Sequence, residues 1–192
     1  MTWLILGLVL FLGVHSVRIV ADGWRTATLA RVGEGVWKGL YALASLAGFA
    51  LIVWGYDEAR MAPVDLWFPP LWTRHLAALL TLPAFVLLVA AYVPGNHLKA
   101  VLGHPMLAGT KLWALAHLAS NGRLADLLLF GGFLVWSALC FRAARRRDRA
   151  AGLARPAASG ARTALAIAAG VIAWAAFALY LHGALIGVRP FG

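Results

Sequence analysis

The sequence predicts an all-α, polytopic integral membrane protein, a bundle of about six transmembrane helices with both termini outside. Three observations lead there. Of 192 residues, 62% are apolar and only 12% charged, and the mean hydropathy of +0.81 is far above that of a soluble domain. Apolar stretches of bilayer length recur, and in lipid such stretches must close their own backbone hydrogen bonds, so they are helices. The basic residues, 17 Lys and Arg against 7 Asp and Glu for a net charge of +10, fall unevenly among the connecting segments, which is what orients a multi-pass chain.

The first span covers about Trp3–Ala21. It reads as a retained helix, because Met1-Thr2-Trp3 offers no basic n-region and no A-x-A pattern follows His15. The second covers Val36–Tyr56 and the third Leu71–Val93, where Pro83 removes a backbone donor and kinks the helix. The fourth, Pro105–Ser120, is short: 16 residues at ~1.5 Å each reach ~24 Å, against a hydrocarbon core of ~30 Å. Leu124–Phe141 and Thr163–Gly187 complete the set, the last of them Ala-rich and suited to close helix packing. Phe68-Pro69-Pro70 and Val93-Pro94-Gly95 punctuate loops. Residues 1–192 therefore read as a single transmembrane domain without internal repeats.

With the N-terminus outside, the inner loops collect Arg18, Arg25, Arg31, Lys38, Lys99, Arg142, Arg145, Arg146, Arg147, Arg149, Arg155 and Arg162. The outer segments carry Arg60, Arg74, Arg123 and Arg189, and Lys111 stays within the fourth helix. This asymmetry supports the N-out, C-out arrangement, since translocating the Arg142–Arg149 cluster is disfavoured. The cluster leads into an Ala-, Gly- and Pro-rich loop at 150–160 and reads as a topology determinant at the lipid headgroups, with no nucleic-acid fold or aromatic platform beside it. Lys111 either snorkels toward the inner face or serves as a functional charge.

One cysteine, Cys140, excludes an intramolecular disulfide, a CxxC metal site and CxxCH haem attachment. The chemistry is left to histidine. His15 lies well inside the first span, His117 near the outer end of the fourth, and His182 near the outer end of the sixth. His75 begins the third span, His104 begins the fourth, and His97 sits in an inner loop. An ionisable side chain in a span is costly and marks a site by default. An interhelical hydrogen bond is the alternative for His15, His117 or His182 taken alone, and interfacial or helix-start histidines such as His75 and His104 need no ligand. Trp113 precedes His117 by one turn on the same face and Asn121 follows it by one. His104 and His117 are 13 residues apart, ~20 Å along a straight helix and ~220° around it, and cannot share an iron. Two histidines on different helices suit non-covalent, b-type haem. No carboxylate pair, nucleophile–base pair or phosphate-cradling glycine loop accompanies them, so hydrolases and nucleotide enzymes are unsupported.

His15-Ser16, His104-Pro105-Met-Leu-Ala-Gly109 running on to Trp113-Ala-Leu-Ala-His117, Asn121-Gly122 and the terminal His182-Gly-Ala-Leu-Ile-Gly187 resemble the NnrU family of membrane proteins from first helix to last. The resemblance implies a multi-pass protein of the bacterial inner membrane that supports nitrite and nitric oxide reductases in denitrification. A related branch, the 15-cis-zeta-carotene isomerases, holds haem b, and the histidines matching its two axial ligands are His15 and His117. Those isomerases carry a cysteine three residues before the second axial histidine, where this chain has Ala114, which weakens the expectation of isomerase activity and leaves haem binding untouched. Depth alone would instead pair His117 with His182 or His75, because His15 lies about 10 Å nearer the inner side.

The expected cofactor set is therefore His15 and His117 on the metal, Trp113 beside His117, and His75 and His182 as contacts for the propionates next to Arg74 and Arg189. The expected partners are membrane lipid and either the reductase machinery or an electron donor. A haem-dependent cis–trans isomerase acting on an apolar polyene, and a cofactor-free structural or transport protein, remain the alternatives.

Overall fold

The computed structural model describes residues 1–154 and 157–191. Arg155, counted above among the inner basic residues, lies with Pro156 and Gly192 outside the described residues. Every regular element described is helical: α1 Thr2–Val20, α2 Asp22–Val32, α3 Glu34–Met61, α4 Trp72–Tyr92, α5 His97–Leu102, α6 Pro105–Ser120, α7 Leu124–Ala150, α8 Gly160–Ala176, a π-helical segment Phe177–Leu181, and α9 His182–Ile186. Five stretches are long and apolar enough to cross a membrane: α1, α3, α4, α7 and the continuous Gly160–Ile186. The chain is accordingly a multi-pass membrane protein. α6 forms over the expected 16 residues.

Three expectations need correction. The segment after the first span is not a loop but the 11-residue helix α2, too polar to register in a bilayer-length window. Its signals are local: Asp22 in the first turn, Arg31 in the last, and Gly33 at φ 83° ending it. His97 is not in a loop either. It opens the short helix α5, whose cap is Asn96, fully buried and accepting from the Lys99 N–H at 2.8 Å. The fifth span runs nine residues past Phe141, so the arginine cluster is a helical extension, ~40 Å of helix in all, longer than the hydrocarbon core.

The described residues gather into two compact units. Residues 1–67 and 122–136 form the first. In it α1 packs along α3 at three glycines that leave no space for a side chain. A Cβ on Gly7 would lie 2.6 Å from the Ile52 nitrogen, one on Gly48 would lie 2.8 Å from the Phe11 nitrogen, and one on Gly55 would meet the Leu4 backbone. In lipid, where no hydrophobic drive pushes helices together, such close backbone approach is the main source of association. At one end of α3, Tyr56 donates to Asp126 Oδ1 at 2.5 Å, and Asp126 Oδ2 accepts from the Arg123 N–H at 3.1 Å. This buried carboxylate thereby caps the first turn of α7. The 62–67 segment is tied to the same place by Leu124 N–H to Val64 carbonyl (2.9 Å) and Leu66 N–H to Gly122 carbonyl (2.8 Å).

Residues 68–121 and 137–192 form the second unit, in which α4 packs against both α6 and α8. Gly109 of α6 meets the Ala84 carbonyl, and Gly170 of α8 meets the Val86 backbone. Pro83 lies inside α4 as expected, and Thr81 nearby accepts from Trp174 Nε1 at 3.0 Å. At the other end, Lys99 Nζ donates to the Ala91 carbonyl at 2.7 Å, satisfying an orphan acceptor at the end of α4. His97 Nδ1 meets Thr163 Oγ1 at 2.8 Å, and the Ser159 N–H donates to the Gly95 carbonyl at 2.9 Å.

Candidate functional site

A histidine inside a membrane helix must place two ring nitrogens. His15 places one locally: Nδ1 lies 2.7 Å from the carbonyl oxygen of Phe11, one turn back on α1. A carbonyl only accepts, so Nδ1 carries the proton, and in the neutral ring the lone pair is on Nε2. The imidazole stacks on Phe11 (centroids 4.2 Å apart, 28° between planes) and meets Tyr41 of α3 (5.2 Å) and Trp136 of α7 (6.0 Å) edge-on. Trp136 Nε1 is buried and has no hydrogen-bond partner among the described residues. Ring contacts on three sides fix the imidazole plane, and the Phe11 carbonyl fixes its tautomer.

Beside His15 opens a cavity of about 370 Å³ lined by Val14, Val17 and Arg18 of α1, Arg25 and Leu29 of α2, and Glu34, Trp37, Lys38 and Tyr41 of α3. That volume lies within the ~300–1,000 Å³ of small-molecule sites. Its lining combines apolar and aromatic side chains with the charged Arg18, Arg25, Glu34 and Lys38. Lys38 Nζ pairs with Glu34 Oε1 at 2.7 Å, one turn apart on α3, and the Arg25 guanidinium stands 5.9 Å from the centre of the Trp37 ring.

His117 repeats the local arrangement in the second unit. Its Nδ1 lies 2.8 Å from the Trp113 carbonyl, and the Trp113 ring is 5.1 Å from the imidazole. Asn121 Nδ2 donates to the His117 carbonyl at 2.9 Å, closing the end of α6. Ala114 and Ala116 of the same helix are fully buried. His182, the first residue of α9 after the π-helical segment, is half-buried, with Nδ1 2.6 Å from the Val188 carbonyl and Phe177 edge-on at 5.8 Å. A π-helical turn shifts the register of the helix after it, which decides where His182 points.

The other histidines have different surroundings. His75 is exposed in the first turn of α4. His104 Nε2 meets Asp148 Oδ2 at 3.0 Å, an ion pair when the ring is protonated. Lys111, the charge inside the fourth predicted span, holds its ammonium 4.0 Å from the centre of the Phe141 ring on α7, a cation–π contact that accommodates it within the unit.

Among the described residues no three His, Cys, Asp or Glu side chains gather as a metal site would require. The donor set suits a different ligation, one imidazole on an iron that a porphyrin already holds by four nitrogens. Such an imidazole needs its remote N–H oriented by a carbonyl and apolar walls around it, and His15 and His117 each show the first while the His15 cavity shows the second. Sequence reasoning found the histidines and missed the cavity's other residues. Glu34, Lys38 and Tyr41 recur at helical spacing on α3 and could have been read as one face, but Arg25 and Leu29 belong to the helix that polarity concealed.

Comparison with protein families matches residues 3–190 to the family described as NnrU protein. No curated protein and no solved structure matches the chain.

Proposed function

The chain belongs to the NnrU family, and from that premise we propose that it is a bacterial inner-membrane protein that binds haem b through His15 and His117 and supports nitrite and nitric oxide reductase function in denitrification. The observation that carries this reading is His15: an imidazole inside an apolar helix, its tautomer set by the Phe11 carbonyl, its plane held by three aromatic rings, and a ligand-sized cavity beside it. His117 supports it with the same Nδ1–carbonyl arrangement and with Trp113 against the ring. Haem bound there would supply a one-electron redox centre within the bilayer. The chain's own part is to present ring nitrogens of defined tautomer, to exclude water with Phe11, Tyr41 and Trp136, and to hold the ring planes.

The same reading takes α6 as a sixth span and puts both termini outside, with the arginine-bearing end of α7 in the cytoplasm. It includes Trp113 as part of the wall and leaves His75 and His182 to contacts other than iron ligation.

Absorption spectra of the purified, detergent-solubilised protein in oxidised and reduced states test it. The expected result is a Soret band with the split visible bands of low-spin, bis-imidazole iron on reduction, lost or converted to high spin in His15→Ala and His117→Ala and restored by added imidazole. Protein without a Soret band even after haem-supplemented expression overturns the reading. Histidine variants that lower stability and leave the spectrum unchanged overturn the ligand assignment.

A further inference from the structure

The charges that line the His15 cavity are more than an imidazole ligand requires. Three cations, Arg18, Arg25 and Lys38, line it with one carboxylate, Glu34, leaving two positive charges in excess. Only Lys38 is neutralised, by Glu34 at 2.7 Å. Arg25 is aligned over Trp37, a contact that orients a guanidinium and leaves its charge intact. Arg18 makes no ion pair among the described residues, although it lies three residues beyond His15, about 4.5 Å further toward the end of α1. The cavity thus brings an imidazole and apolar side chains together with two guanidinium groups that make no ion pair among the described residues. Guanidinium groups bind carboxylates through paired, charge-assisted hydrogen bonds, and two of them match a ligand with two carboxylates on one edge.

Resting on the haem reading above, we infer that Arg18 and Arg25 bind the two propionate carboxylates of the porphyrin that His15 ligates, so that the propionate edge faces the α1–α2 turn rather than Arg74 and Arg189. The cofactor's orientation is then set by α2, a helix too polar to span the membrane and placed where it closes the cavity with Arg25 and Leu29.

Titration of the full-length apoprotein in detergent with haemin and with haemin dimethyl ester, followed at the Soret band, tests this. In the ester both carboxylates are blocked while the iron and ring are retained. The wild type should bind the ester at least about tenfold more weakly than haemin, the scale of charge-assisted hydrogen bonds lost. Arg18→Gln and Arg25→Gln should each weaken haemin binding about tenfold, with a much smaller loss for the ester. Equal binding of the two forms by the wild type overturns this inference alone, as do equal losses for both forms in the variants. A haemin-selective loss in Arg74→Gln or Arg189→Gln also overturns it, by placing the propionates elsewhere. No saturable shift of the Soret band with either form, relative to protein-free detergent, overturns the haem reading and this inference with it.

Discussion

Replacing Gly7 by alanine adds one methyl group where three backbone atoms of α3 already stand. The new Cβ would lie 2.6 Å from the Ile52 nitrogen, 2.8 Å from the Leu51 carbonyl carbon and 3.0 Å from the Gly48 oxygen. Favourable contact needs ~3.5–4.0 Å, so α1 must move away by about 1 Å. None of the three atoms can rotate aside as a side-chain end would. Overpacking of this kind costs about 1–3 kcal/mol, whereas alanine in a helix gains about 0.5–1 kcal/mol over glycine. Gly13, on the same helix, separates the two terms, because nothing lies within 4 Å of its Cβ position. Gly13→Ala should match or slightly exceed wild-type stability, and Gly7→Ala should fall below Gly13→Ala by about 1–3 kcal/mol, roughly five- to 150-fold in the unfolding equilibrium. Reversible unfolding in mixed detergent micelles, followed by circular dichroism, measures both. Equal stability of the two variants would refute the claim that backbone contact at Gly7 holds α1 to α3.

Three further predictions concern polar groups in apolar surroundings and the topology. Tyr56→Phe removes the tyrosine hydroxyl that donates to buried Asp126 and should destabilise the protein by about 1.5–3 kcal/mol; an unchanged unfolding midpoint would contradict that role. In a double-mutant cycle of Lys111→Met and Phe141→Leu, the two side chains should couple by about 1–2 kcal/mol, and purely additive losses would show that the ammonium is stabilised elsewhere. In a Cys140→Ala background, single cysteines introduced at Thr2 and Phe191 should react with an impermeant thiol reagent from the periplasmic side and one at Arg146 should not; the inverse pattern would reverse the orientation.

Much of the fold was legible because a bilayer imposes a simple constraint. Apolar runs long enough to span it must be helical, and the expected Leu71–Val93 differs from α4 by one residue at each end. The same logic has no purchase where the chain leaves the hydrocarbon. α2 and α5 are built from capping residues, a first-turn aspartate and terminating glycines at positive φ, signals that act over a single turn and carry no bilayer-length average. The arginines after Phe141 were informative about charge but silent about conformation, because arginine is a good helix former whose distribution among loops is set by topology.

The histidines follow the same division. Their positions within apolar spans, and the match of the whole chain to one family, could be read from the residues alone, since an ionisable group in lipid is rare enough to stand out. What makes His15 differ from His104 is tertiary: His15 faces the aromatic rings of α3 and α7 beside a cavity, while His104 meets Asp148. By itself the sequence determined that this chain lives in a membrane as helices with histidines inside its apolar spans, because composition and spacing respond to the solvent a segment occupies. Only the tertiary structure decided that Arg18, Arg25 and Lys38 line one cavity with His15. They come from three helices, and the faces that α1 and α3 turn to each other depend on glycine contacts of a few ångströms that no linear spacing encodes.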